Sequence, residues 1–103
     1  MLQVLGAACA INHGVKTVAV AGTDEPLSGS ALFVYWLIIQ AQTDNTGFIA
    51  VGAAGVDATE ATGNGVLLDA GDSIALPVKN LAGVYLDATV SGDGVRYIYG
   101  VEY

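Results

Sequence analysis

Chemistry at a protein site needs a nucleophile, a base or a set of metal ligands held close together, and this chain offers few of them. It has one cysteine, Cys9, and one histidine, His13, the latter between Asn12 and Gly14 in what reads as a turn. With a distant Ser and an Asp these two make a nucleophilic set on paper only. Catalysis needs the nucleophile within reach of a base, and the base oriented by a third group. A single cysteine excludes an intrachain disulfide and any paired-cysteine metal site. The 10 acidic residues are the other reservoir. Asp69 and Asp72 flank a turn, Asp57 and Glu60 stand in a Gly-rich stretch, and Asp87 and Asp93 fall near the last strands. Carboxylates joined by loop carbonyls suit calcium, yet no run has the spaced acids of a calcium-binding loop. The expected work of these acids is to cap turns and face solvent. No catalytic residue, metal ligand or cofactor is assigned, and the protein is expected not to be an enzyme.

Composition points to surface rather than to a site. Only 13% of the residues are charged and 53% are hydrophobic, where an ordinary soluble domain carries about 25% charged residues. A chain of 103 residues makes one domain, spanning residues 1–103, with room for a two-layer core. A domain of that size leaves much of its surface exposed when it folds alone. Other copies or other proteins are therefore expected to cover it. The net charge of -7, with Lys16, Lys79 and Arg96 far apart, argues against direct nucleic-acid binding, which needs clustered cations to displace phosphate counterions. The charge-free apolar run Ala31–Ala41 is about half the roughly 20 residues that a membrane helix requires. Met1–Ala10 is apolar but lacks a basic leader, so it does not read as a secretory signal.

Turn signals recur every dozen residues or so, at 22–26, 43–47, 63–65, 70–72, 79–83 and 91–94, a spacing typical of sandwiches and barrels. Between them lie short runs rich in Val, Ile, Tyr, Phe and Thr, whose branched or flat side chains suit a pleated surface. The expected strands are 15–21, 32–41, 48–52, 65–68, 73–78, 84–90 and 95–101. The fold class that follows is all-β, a small antiparallel β-sandwich or jelly-roll-like barrel of about seven strands. Val84, Leu86, Ala88 and Val90 alternate with Tyr85, Asp87 and Thr89, and Val95, Tyr97, Tyr99 and Val101 with Arg96, Ile98 and Gly100. Period two is a strand signature, and the turn between the runs predicts an antiparallel hairpin. Pro77 donates no backbone hydrogen bond, which places its strand at an edge or bulge. Residues 52–65 are small and Gly-rich, a long surface loop.

The run Leu32–Ala41 does not alternate, so both of its faces should be dry. In a thin sandwich one face meets the core and the other meets a neighbour. Four large side chains left in water would expose on the order of 100 Å² each, costing about 10 kcal/mol in all at ~25 cal/mol per Å². Phe33, Tyr35, Trp36, Leu37 and Ile39 are therefore candidate interface residues. Tyr97 and Tyr99 join them as amphipathic contacts.

Two resemblances sharpen this reading. The sequence Leu68-Asp69-Ala70-Gly71-Asp72-Ser73-Ile74 is similar to the turn of cupin-type jelly rolls, in which Gly-Asp opens a strand. Cupin metal chemistry needs a histidine cluster, which one histidine cannot supply. More broadly, Asn45-Thr46-Gly47 followed by Phe48-Ile49-Ala50-Val51-Gly52, the Leu68–Ser73 turn, and the closing Gly94-Val95-Arg96-Tyr97 resemble the small β-rich structural proteins of tailed bacteriophages. That resemblance covers roughly the last two-thirds of the chain. It implies a head decoration or cement protein on the virion capsid surface, assembled in the host cytoplasm. Its implied partners are further copies of itself, a trimer being favoured, and the major capsid protein, with no direct nucleic acid and no membrane. Residues 1–14 depart from the pattern and are a candidate N-terminal arm. The alternative within the same resemblance is a tail or head fibre, or receptor-binding module, whose 52–65 loop and tyrosines touch a host glycan.

Overall fold

The computed structural model describes residues 9–102. It contains eight strands: β1 (Ala10–Thr17), β2 (Glu25–Pro26), β3 (Trp36–Ala41), β4 (Ile49–Gly52), β5 (Val66–Leu68), β6 (Ser73–Leu76), β7 (Tyr85–Ala88) and β8 (Gly94–Val101), with one 3₁₀ turn at Leu81–Gly83. They form two four-stranded sheets, in the orders β1-β8-β3-β6 and β2-β7-β4-β5, and every pairing is antiparallel. Strand 1 pairs with 8, 2 with 7, 3 with 6 and 4 with 5. The chain is thus one long hairpin folded back at β4–β5 and rolled so that successive strand pairs fall in alternate sheets. That is a jelly roll, the eight-stranded double-sheet form of an antiparallel sandwich.

Side-chain alternation sets the core. Leu37, Ile39 and Ala41 on β3 meet Ile49 and Val51 on β4, Leu86 and Ala88 on β7, and Val95 and Tyr99 on β8 in one buried cluster. Leu81 in the 3₁₀ turn completes it. The turn forms because Asn80 caps it, its side-chain oxygen accepting the Ala82 N–H at 3.0 Å and the Leu32 N–H at 3.1 Å. The first of these is the usual cap bond, and the second ties the approach to β3 to the same residue.

Several boundaries differ from expectation. The expected hairpin of 84–90 with 95–101 is absent: β7 and β8 lie in opposite sheets. Each already has a neighbour on both sides, β2 and β4 for one, β1 and β3 for the other, so neither has an edge to offer its successor. The Ser91–Gly94 turn is an arch between sheets. It is locked to the β3–β4 corner: Asp93 accepts the Gly47 N–H at 2.8 Å, and Asn45 both donates to the Gly94 carbonyl at 2.9 Å and accepts the Gly94 N–H at 3.0 Å. Gly47 must be glycine, since a Cβ there would collide with the Thr89 hydroxyl and the Val90 side chain.

The first strand covers 10–17 rather than 15–21, which takes residues 10–14 out of the candidate arm. Residues 1–8 of that arm lie outside the described residues. The strand begins early because β8 supplies an unbroken partner from Gly94 to Val101, whatever the modest strand propensity of Asn12, His13 and Gly14. The run from residue 32 becomes regular only at Trp36, Phe33 making an isolated bridge to Asn80. The strand expected over 73–78 ends at Leu76, just before Pro77, on the edge of its sheet, as a proline requires.

Candidate functional site: the open face of the first sheet

The outward side chains of the β1-β8-β3-β6 sheet fall into rows that cross the strands. One row runs His13, Ile98, Ile38, Ala75, and the next runs Val15, Arg96, Gln40, Ser73. A third joins Ile11, Gly100 and Trp36. Ile11 is 64% exposed, Val15 66% and Ile38 40%. No Asp or Glu belongs to these rows, although the chain has 10 acids against 3 basic residues. The first two rows frame a shallow depression with Ile38 and Ile98 at its floor and Gln40, Ser73 and Arg96 on one side.

Local chemistry fixes the walls. The Gln40 side-chain amide donates to the Gly71 carbonyl at 3.1 Å, and the Arg96 Nε donates to the Gln42 side-chain oxygen at 3.2 Å. Gly100 is a bare floor. A Cβ there would strike the Trp36 indole and come within 2.8 Å of the Cys9 sulfur, so the absence of a side chain is what lets the indole lie down on the sheet.

The opposite sheet treats its outward face differently. Residues 53–65 fold across it, and Val56 and Ala58 close over Ala50 with Tyr85 packed alongside. Asp87 anchors this cover from β7. It is 2% exposed, and its carboxylate accepts the Gly22 N–H at 2.9 Å and the Ala58 N–H at 2.8 Å. Asp24 adds the Gly55 N–H at 2.9 Å. Asp57 is held below the usual carboxylate range by the Thr59 N–H, then by the Thr59 hydroxyl. The stretch expected to be a plain surface loop is therefore a packed lid.

The residues proposed from sequence as an interface divide into three groups. Leu37, Ile39 and Tyr99 are corrected to core positions, with exposures of 0%, 0% and 7%: the first two occupy the inward half of a strand whose faces were not told apart, and Tyr99 lies on the face that its alternation with Ile98 and Gly100 sets inward. Tyr97 is also inward, half-buried, and stacked on Tyr99 with ring centroids 5.9 Å apart. Burial raises its phenol above the ordinary value, the neighbouring Tyr99 adds to the rise, and Lys16 opposes it. Phe33 and Tyr35 are well exposed, at 70% and 59%, on the irregular approach to β3, and Trp36 is partly covered. The reading missed Ile11, Val15, Ile38 and Ile98. The available signal was the odd-numbered series Ile11, His13, Val15 in β1, which alternates once the strand is allowed to start at Ala10.

The candidate chemical groups are dispersed. Among the described residues no three or more His, Cys, Asp or Glu side chains gather as a metal site would require. His13 stands exposed on the open face, in register with Ile98. Asp69 and Asp72 close their own turn, the Asp69 N–H donating to Asp72 at 3.0 Å. The expectation that acids cap turns agrees with these bonds, but Asp87 and Asp93 do so buried rather than facing solvent. Among the described residues no helix is long and apolar enough to cross a membrane. No protein-family model matches the chain, and the comparisons with curated proteins and with solved structures return no match either.

Proposed function

We propose that this protein is a structural component of a virion, a decoration or cement protein that binds the outside of a tailed-phage head and stabilises it by surface contact. The observation that carries the reading is the open face of the β1-β8-β3-β6 sheet, apolar at Ile11, Val15 and Ile38 and free of acids in a chain of net charge -7. The chain covers the centre of the equivalent face of its other sheet, at Ala50 and Tyr85, with its own lid, and leaves only the β5 edge, at Val66 and Leu67, exposed. Leaving one face bare while covering the other is economical only when a partner completes it, because exposed apolar area costs about 25 cal/mol per Å². The motifs that resemble phage structural proteins, and the jelly roll itself, a fold used among viral capsid proteins, support the same conclusion. The contact works by area and shape, and no bond is made or broken.

The partner expected on this face is the major capsid protein, with Arg96 and His13 meeting acids at the rim and the isoleucines meeting apolar side chains at the centre, the usual arrangement of a protein interface. The test is co-sedimentation of purified protein with tailed-phage heads that lack their decoration protein. Binding that saturates and raises the temperature at which heads release DNA is the expected result. Failure to bind, together with saturable binding to host-surface glycan, would overturn it in favour of a fibre or receptor-binding module.

A further inference from the structure

We infer that β1 is the strand by which two copies of this chain join, edge to edge, into one continuous sheet. This goes beyond the capsid contact, which uses the face of the sheet rather than its edge.

The direction of the backbone groups in β1 follows from its partner. The Val18 N–H donates to the Asp93 carbonyl at 2.9 Å, and the Val18 carbonyl accepts the Gly92 N–H at 2.9 Å. Backbone groups in an antiparallel strand point alternately to its two sides. Hence Ala10, Asn12, Gly14 and Lys16 bond to β8, while Ile11, His13, Val15 and Thr17 point their N–H and C=O groups away from it. Two donors in this outward series are held by side chains. The Asn12 side-chain oxygen accepts the His13 N–H at 2.8 Å, and just beyond the strand Glu25 accepts the Ala19 N–H at 2.9 Å. Among the described residues no turn, loop or side chain accepts the N–H of Val15 or Thr17, and β1 has no strand on that side.

Proteins blunt such edges with short strands, prolines, bulges or outward charges, and three of the four edges here are short. β2 has two residues and β5 three; β6 has four and stops before Pro77. β1 has eight, and its register with β8 runs without a bulge from Ala10 to Thr17. It contains no proline. Its one lysine, Lys16, belongs to the inward series and is drawn off the edge by Glu25 at 2.9 Å.

The occupant that fits is a second β1. In an antiparallel pairing about a twofold axis at His13, where the Asn12 side chain gives up the His13 N–H to the partner strand's carbonyl, Ile11 of each copy lies opposite Val15 of the other, so side chains 64% and 66% exposed cover one another. Cross-strand apolar pairs of this kind stabilise sheets. No acid enters the seam, and the self-complementary contact closes as a dimer. A twofold join replaces the trimer favoured on sequence grounds.

Light scattering of the whole protein over a concentration series tests this, with amide exchange as the readout of the edge itself. A mass of twice the chain is expected, with the Val15 and Thr17 amides protected in proportion to dimer. Val15→Pro removes an outward donor that β8 does not use, so it should give a folded monomer of near-normal melting temperature. Val15→Lys should do the same without touching the backbone, which keeps the test valid if the proline variant misfolds. A wild-type monomer at every concentration, or a dimer that survives both substitutions with its β1 amides exchanging freely, overturns the inference. A wild-type monomer that still binds phage heads would leave the proposed function intact, and a dimer lost on Val15→Lys that never binds heads would do the reverse.

Discussion

The two sheets share one core and differ in what they do with their other face. On the β2-β7-β4-β5 sheet, Ala50 lies beneath Val56 and Ala58, and a buried carboxylate pins the cover down. On the β1-β8-β3-β6 sheet, isoleucine and valine stand in water with no segment of the described chain above them. The first arrangement covers the centre of a face within one molecule. The second leaves its centre open. The contrast teaches that the two faces differ in chemistry as well as in cover: carboxylates of Asp87, Asp57 and Glu60 surround the covered one, while the open one has apolar side chains at Ile11, Val15 and Ile38 and no acid in its rows.

The sharpest way to break the comparison is Asp87→Ala. It strips the acceptor from two N–H groups at a buried position, each worth about 1–3 kcal/mol, a large share of the roughly 5–15 kcal/mol of a typical domain. Denaturant melts should show a loss of that order, and limited proteolysis should now cut within 53–65. Unchanged stability would mean that the lid is not held by this carboxylate. Next in size, Leu37→Ala and Ile38→Ser compare adjacent residues on opposite faces of β3. The first should cost about 2–5 kcal/mol as a core truncation. The second should change stability by only about 0.5 kcal/mol, as surface substitutions do, while weakening binding to phage heads. Equal effects on stability would erase the distinction between the faces.

The smallest effect belongs to Glu25, which ties β2 at the edge of one sheet to β1 at the edge of the other. Its carboxyl is held below the usual range by the Lys16 ammonium, and further by the Ala19 N–H. A depressed folded-state value means that the charged form is favoured on folding. The contribution is therefore present above the unfolded carboxylate value of about 4.3 and fades as pH falls through the lower folded value. Glu25→Gln should lose less stability than the wild type over that acid window, by under about 1 kcal/mol, because the pair is exposed and screened. Melting curves across the window measure the difference, and parallel pH profiles would show that the tie contributes nothing.

Much of the fold could be read from alternation and turns. The buried Val84, Leu86 and Ala88 follow from period two alone, and so does the shared face of Val95, Tyr97 and Tyr99, although its tyrosines were expected at an interface rather than in the core. What alternation could not show is which strand lies beside which. A turn such as Ser91-Gly92-Asp93-Gly94 looks the same whether it closes a hairpin or arches between sheets, and the outcome depends on strands far away in sequence. β2, at two residues, leaves no periodic signal. Asp87 does point outward, as its place in the alternation demands, and is buried only because a remote loop lands on it. The open face was scarcely legible: the unbroken apolar run of β3 pointed to an apolar outward side, but two of the residues singled out in the strand, Leu37 and Ile39, lie inward beside the exposed Ile38, and the β1 half depended on a start that β8 imposes.

The nesting of the strands also sets the order in which the sheets become possible. Of the four inner strands, β3, β4, β7 and β8, the two that pair with β1 and β2 are the last in sequence, β8 and β7. Until residues 94–101 leave the ribosome, β1 has no partner in its sheet, and β3 has only β6. The sandwich cannot be assembled strand by strand from β1; β2 through β8 must all be made before β1 finds its ladder. Folding governed by such distant contacts is slow, and strand edges left unpaired in the meantime invite aggregation. The strand proposed to join copies is thus the one that a cell making the protein in quantity has to keep apart longest.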